Sequence, residues 1–230
     1  GGMSPALMKF LPSGTMAWYR SVESTGPAVG DYFTGDQASA MMLDVYGDLL
    51  VAARMDNGAN VMLRRYSPSG ALLWSAMMPV PQGSGATLTA LTADAVNIYA
   101  AGYAYDSTGV MWLAKFSLAS GAQQGATALY HNENDGDYIP GGIAFNGSYI
   151  YVVGTKNVGY NNDIFIEKYS DTWSPSPELS ASVTAGGESY DQGRDIKLDA
   201  SGNVYATGDY YDPAAYNSYC WTAEYSSSLS

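Results

Sequence analysis

Short apolar runs recur along the whole chain, each entered or closed by Gly, Asn, Asp or Ser, and none keeps a helical period. One set reads GDLLVAA, VNIYAAG, GSYIYVVG and GNVYATG, and three of its four members end on a glycine, Gly102, Gly154 or Gly208. A second set places a charged residue before an aromatic and a turn. Its members are Lys9-Phe10, Arg65-Tyr66, Lys115-Phe116, Lys168-Tyr169 and Glu224-Tyr225, and the aromatics follow one another at spacings of 50–56 residues. In a third set, SGTMAW and SGALLW put Trp18 and Trp74 four residues beyond a glycine. The longest copy is the pair DQASAMMLDVYGDLLVAA, starting at Asp36, and DQGRDIKLDASGNVYATG, starting at Asp191, which align at an offset of 155 residues.

The pattern therefore predicts a repeat of four short strands joined by turns, represented by 38–44, 49–54, 60–66 and 71–78. The chain opens partway through a repeat, with a third strand at 6–10 and a fourth at 16–21. It closes on a third strand at 219–225. Alternation within the third strands puts Met62 with Tyr66, Trp112 with Phe116 and Phe165 with Tyr169 on one face, and Leu63, Leu113 and Ile166 on the other. A sandwich strand is apolar on its inner face only. Here both faces are apolar, as in sheets stacked face to face, and the unit of roughly 50 residues has the size of one propeller blade.

The expected fold is thus all-β: one β-propeller domain over 1–230, built from about four to five four-stranded antiparallel blades. The repeats run over about 1–21, 36–78, 87–130, 138–185 and 191–230, with the first and last incomplete. An open stack would leave strand edges and apolar faces bare. The N-terminal fourth strand is therefore expected to complete the C-terminal blade, and self-association between chains is the alternative route to the same end.

The stretch DQGRDIKLDASGNVYATG, continued by WTAEYSSS, resembles the bacterial β-propeller repeat known from seven-bladed propellers of secreted and surface proteins. Those blades run Asp-x-x-Gly-Asn-x-Tyr-x-x-Gly, then Lys-Tyr, then Gly and Trp. The likeness extends over most of the chain and fades at ALTADAVNIYAAG, which lacks the Asp-x-x-Gly turn. The resemblance implies a fold and a setting, secreted or at the bacterial cell surface, and no catalytic residues.

Composition narrows the function classes. The chain of 230 residues holds 20 Tyr, 26 Gly and only 14% charged residues, which suits sheets and turns. A net charge of −12 repels phosphate backbones and argues against nucleic-acid partners. No apolar run is long enough to insert into a membrane as a helix. The first residues lack a signal-peptide pattern, and the Gly-Gly before Met3 reads as a cloning remnant, which leaves an upstream leader or domain open. Cys220 is the only cysteine and lies in a strand pattern, so a buried, inert thiol is expected.

Candidate chemistry is sparse. His131 is the only histidine and no nucleophile-elbow sequence accompanies it; Gly83-Ser84-Gly85 reads as a loop. Zinc held by Cys and His is therefore excluded. Glu133, Asp135 and Asp137 in NENDGD form the densest acidic loop, whose hard oxygens suit Ca²⁺, although their spacing is not that of an EF-hand, an ordinary solvated turn is the simpler account and no other cofactor is implied. Asp44 and Asp199 sit where an Asp side chain caps its own turn. Tyr160, Asp209, Tyr210, Tyr211 and Tyr216 fall on loops between second and third strands, where exposed Tyr beside Asn and Asp suits contact with a sugar ring or a protein, and the alternative role is to cover a blade edge. The functional expectation is a non-enzymatic binding scaffold for protein or polysaccharide, acting through loops and a tunnel mouth. The alternatives are a lyase or glycoside hydrolase using paired carboxylates, and a propeller fragment that completes itself by oligomerising.

Overall fold

The structure, a computed structural model, describes residues 6–21, 37–55, 60–79, 85–105, 109–130, 136–159, 161–173, 178–185 and 190–230. These residues form seventeen strands and no helix, in antiparallel sheets that follow chain order. An N-terminal hairpin pairs β1 (Ala6–Phe10) with β2 (Met16–Ser21). Three four-stranded meanders follow. The first holds β3 (Gln37–Leu43), β4 (Leu49–Met55), β5 (Asn60–Tyr66) and β6 (Leu72–Pro79). The second holds β7 (Thr87–Ala93), β8 (Asn97–Tyr105), β9 (Gly109–Ser117) and β10 (Ala128–Tyr130). The third holds β11 (Asp137–Phe145), β12 (Tyr149–Val158), β13 (Asn161–Ser170) and β14 (Leu179–Ala185). The last sheet has three strands, β15 (Gln192–Leu198), β16 (Val204–Asp212) and β17 (Asn217–Tyr225). The strands predicted at 38–44, 49–54, 60–66 and 71–78 thus lie within one residue of β3 to β6 at every boundary.

The two-faced burial read from the third strands is present. Met62 and Tyr66 pack with Leu7 of the hairpin, while Leu63, on the other side of β5, packs with Ile98 and Trp112 of the next sheet. Phe165 and Tyr169 face back toward Tyr99 and Leu113, and Ile166 faces forward toward Ile196 and Val204. Each interface buries a row of large side chains, worth about 1.5–3 kcal/mol apiece.

The charged residues of the first four aromatic markers share a role. Lys9 Nζ donates to the Pro68 carbonyl at 2.8 Å, an Arg65 terminal nitrogen donates to Leu118 O at 3.0 Å, and Lys168 Nζ donates to Ser227 O at 2.8 Å. Lys115 forms an ion pair of 3.0 Å with the Asp171 carboxylate. In each case the third strand of one sheet fastens onto the turn that follows the third strand of the next. The Trp18 and Trp74 indoles donate to the same Pro68 and Leu118 carbonyls. The Trp74 ring lies on Gly121, where a Cβ would stand 2.6 Å from it and where φ is +71°, so only glycine fits. The fifth marker breaks the series: Glu224 has no N–H to give and accepts from the Tyr205 hydroxyl of its own sheet at 3.0 Å.

Two expectations are corrected here. The N-terminal fourth strand does not complete the last sheet. β2 pairs with β1, the hairpin packs on the β3–β6 sheet through Leu7 and Trp18, and no strand among the described residues pairs with the outer edge of β17. Apolar packing of Leu7 on Val51 and Met62, with the Lys9 and Trp18 bonds, holds the hairpin on that side. Cys220 is exposed rather than buried, because among the described residues no fourth strand or further sheet covers β17.

Candidate functional site

The first strands of the four larger sheets lie side by side, β3 beside β7, β7 beside β11 and β11 beside β15. Each carries a one-residue irregularity in its pairing with the second strand, at Ser39, Thr89, Gly141 and Arg194. These four positions are equivalent in the repeat. A bulge leaves one residue unpaired and turns it out of the ladder, and all four line a single cavity of about 590 Å³. The Ser39 and Thr89 hydroxyls donate at 3.4 Å to the carbonyls of Ala52 and Ala101 across the bulge.

The bulges also explain the glycines that end the second strands. Gly154 stands opposite Pro140 at the start of the bulge, and a Cβ there would fall 2.3 Å from the Ile139 carbonyl and 2.6 Å from the Phe165 ring. Gly102 and Gly208 meet Thr87 O and Gln192 O in the same way. The tightest contacts of these glycines lie within each sheet, at the kink that shapes the cavity, and Gly154 is also approached by Gly193 of the next sheet, where an added Cβ on Gly193 would stand 2.6 Å from the Gly154 carbonyl oxygen.

Beside the apolar Ala38, Leu88, Ile139 and Pro140, the polar lining comes from strand starts and the facing second strands: Gln37, Arg54, Thr87, Tyr103, Thr155, Asn157, Asn162 and Gln192. Amides and hydroxyls make up most of the polar groups, and the charged groups among these described residues are the guanidiniums of Arg54 and Arg194. Arg194 Nε donates to Asp209 Oδ2 at 2.8 Å on the rim. The other end of the first strands lines a second space of about 560 Å³, with Met41, Met42, Leu91, Ile143 and Phe145 among its residues. Its acid, Asp195, is paired with Lys197 at 2.8 Å.

A third space, a groove of about 410 Å³ that shares Asp195 and Lys197 with the second, crosses the outer face of the last sheet beside Tyr205, Thr207, Thr222 and Glu224. In the preceding sheets the position of Tyr205 is held by Leu50, Tyr99 and Tyr151, all essentially inaccessible, whereas Tyr205 is 41% exposed. The Glu224 bond, followed by partial burial, raises the Tyr205 phenol above its usual value. Burial and the Asp171 carboxylate raise Tyr99 much further.

The residues singled out from sequence are dispersed. Asp209 reaches the cavity rim through Arg194. Tyr210 and Tyr211 are not on a loop but inside β16, which extends to Asp212. The Tyr211 amide donates to the buried Asp191 carboxylate at 2.8 Å, and its ring meets Tyr190 edge-on at 6.2 Å. Tyr216 lies in the following turn, at φ +52° and 85% exposed, away from the cavity. Tyr160, Glu133, Asp135, His131 and Ser84 lie outside the described residues; Asp137 opens β11 opposite Asn157. No group of three or more metal-ligating side chains occurs among the described residues. Asp44 and Asp199 cap their turns as expected, accepting from the amides of Tyr46 and Asp48 and of Ser201 and Asn203. Sequence reasoning missed the cavity residues Gln37, Arg54, Gln192 and Arg194. The repeated Asp-Gln carried a signal for Gln37 and Gln192, whereas Arg54 and Arg194 had none, because a bulge shows only in strand register.

No family model and no curated protein matches the chain. Among solved structures, a protein from Lactobacillus plantarum is similar at a TM-score of 0.56 and 16% identity, over 96% of this chain and 64% of that one. An exo-β-1,3-galactanase from Phanerochaete chrysosporium, solved with β-1,3-galactotriose, is similar at 0.43 and 14%, over 80% and 44%. The chain thus spans less than two thirds of the length of either, and the first likeness is one of all-β fold.

Proposed function

We propose that this chain is a β-propeller binding scaffold of a bacterial secreted or cell-surface protein, and that it recognises protein or polysaccharide at the mouth of the cavity between its first strands. The observation that carries the reading is the convergence of four equivalent bulges, Ser39, Thr89, Gly141 and Arg194, on one cavity. Ligands of repeat folds gather where equivalent positions of every repeat meet. The lining of amides, hydroxyls and guanidiniums supplies recognition without a facing pair of carboxylates among the described residues.

A glycan array together with a pull-down from bacterial surface extracts tests this. Wild-type protein should retain a ligand, and Thr89→Trp, which fills the cavity, should lose it while keeping its melting temperature. Equal retention by both proteins places recognition elsewhere and ends the reading.

The edge of β17, unpaired among the described residues, and the exposed Met8, Phe10 and Tyr19 of the hairpin support a second reading, a scaffold that self-associates. Light scattering on the eluting protein distinguishes a monomer from a defined oligomer.

A further inference from the structure

We infer that the cavity takes a carboxylate-bearing sugar unit, a uronic acid residue of an acidic polysaccharide; this rests on the reading of the cavity as the binding site. The chain carries 22 acidic and 10 basic residues, so a lining drawn at random would be acidic. The described lining holds Arg54 and Arg194 and no Asp or Glu. A negatively charged molecule that concentrates cations in one polar cavity creates a local site for an anion within a repelling field.

The guanidinium geometry favours a carboxylate. Arg194 commits only Nε, to Asp209, and no described residue takes its terminal nitrogens. Asp209 orients the fork and leaves its outer N–H groups free to meet a planar carboxylate. Arg194 is also the bulge residue of β15, where the other three sheets place Ser39, Thr89 and Gly141, so one repeat alone brings a charge to this ring of positions. Around it, Gln37, Gln192 and Asn157 offer paired donors and acceptors, and Thr87 and Tyr103 offer hydroxyls. Such groups match the vicinal hydroxyls of a pyranose. The volume of about 590 Å³ suits a small ligand rather than a protein loop.

Calorimetric titration with a galacturonic acid trisaccharide and with the galactose trisaccharide of the same linkage tests the inference. The acidic sugar should bind at least about tenfold more tightly, with affinity falling as salt is added. Arg194→Gln should remove that advantage and leave the neutral sugar unchanged. Arg194→Lys should lie between, since it keeps the charge and loses the fork. Arg54→Gln should act in the same direction, and because Arg194 is exposed its two variants suffice if Arg54→Gln fails to fold. Equal binding of the two sugars, or an unaffected Arg194→Gln, overturns the inference and leaves the binding site in place. Failure of any sugar to bind, where the array or pull-down finds another ligand, overturns the inference alone. Failure of every ligand overturns both. Capture of peptides through their terminal carboxylate would replace the sugar by a peptide partner and so overturns it as well.

Discussion

Lys168 Nζ rests 2.8 Å from the carbonyl oxygen of Ser227, which also receives the buried Tyr151 hydroxyl at 2.9 Å. One carbonyl in a turn of the last sheet thus closes the outer end of the interface with the sheet before it. Lys9, Arg65 and Lys115 repeat the arrangement at the earlier interfaces.

Lys115→Ala should therefore cost more than Lys168→Ala. Lys115 and Asp171 are both mostly buried, and removing the cation leaves a carboxylate and the Tyr99 hydroxyl facing each other. We expect a loss of about 2–3 kcal/mol for Lys115→Ala and about 0.5–1.5 kcal/mol for Lys168→Ala. Urea denaturation followed by tryptophan fluorescence measures both, and equal losses would contradict the ranking.

Gly154→Ala should destabilise by about 1–3 kcal/mol or more, because the added Cβ meets the Ile139 carbonyl at 2.3 Å and β11 must shift. Gly147→Ala is the comparison: φ there is +96°, but no atom lies within 4 Å of the added Cβ. Its cost should be that of backbone strain alone, about 1 kcal/mol. The difference between the two midpoints isolates the contact at the bulge.

Cys220 should react with a thiol reagent in the native protein at nearly the rate seen in denaturant, since β17 leaves it exposed. A native rate slower by a hundredfold or more would show that another chain or segment covers β17 in solution.

Stability should fall as pH rises past the ordinary tyrosine range, about 10. Tyr99 is raised by burial and by Asp171, and Tyr151 by burial. The unfolded chain loses these protons first, so the folded state binds more protons, and the stability present below that range is lost as pH climbs through it. Tyr99→Phe should flatten the decline in denaturation midpoints measured between neutral and alkaline pH. An unchanged slope would show that Tyr99 does not carry it.

The strand positions, their four-fold recurrence and their two-faced burial were legible in sequence, because each depends on local properties: side-chain alternation, β-branched and aromatic content, and turn residues at fixed offsets. Asp44 and Asp199 could be placed in their turns for the same reason, since a carboxylate reaching two residues along its own chain involves no distant partner.

What only the tertiary structure decided depends on residues remote in sequence. Whether β2 joins β1 or β17 turns on which apolar face Leu7 and Trp18 find, and whether Cys220 is covered turns on that choice. The cavity is of the same kind. Ser39, Thr89, Gly141 and Arg194 look unremarkable in a line of letters, and they become one lining only when a register slip in each first strand swings them toward a common centre. A slip of one residue leaves no trace in composition or period, whereas in space it sets which side chains a ligand meets.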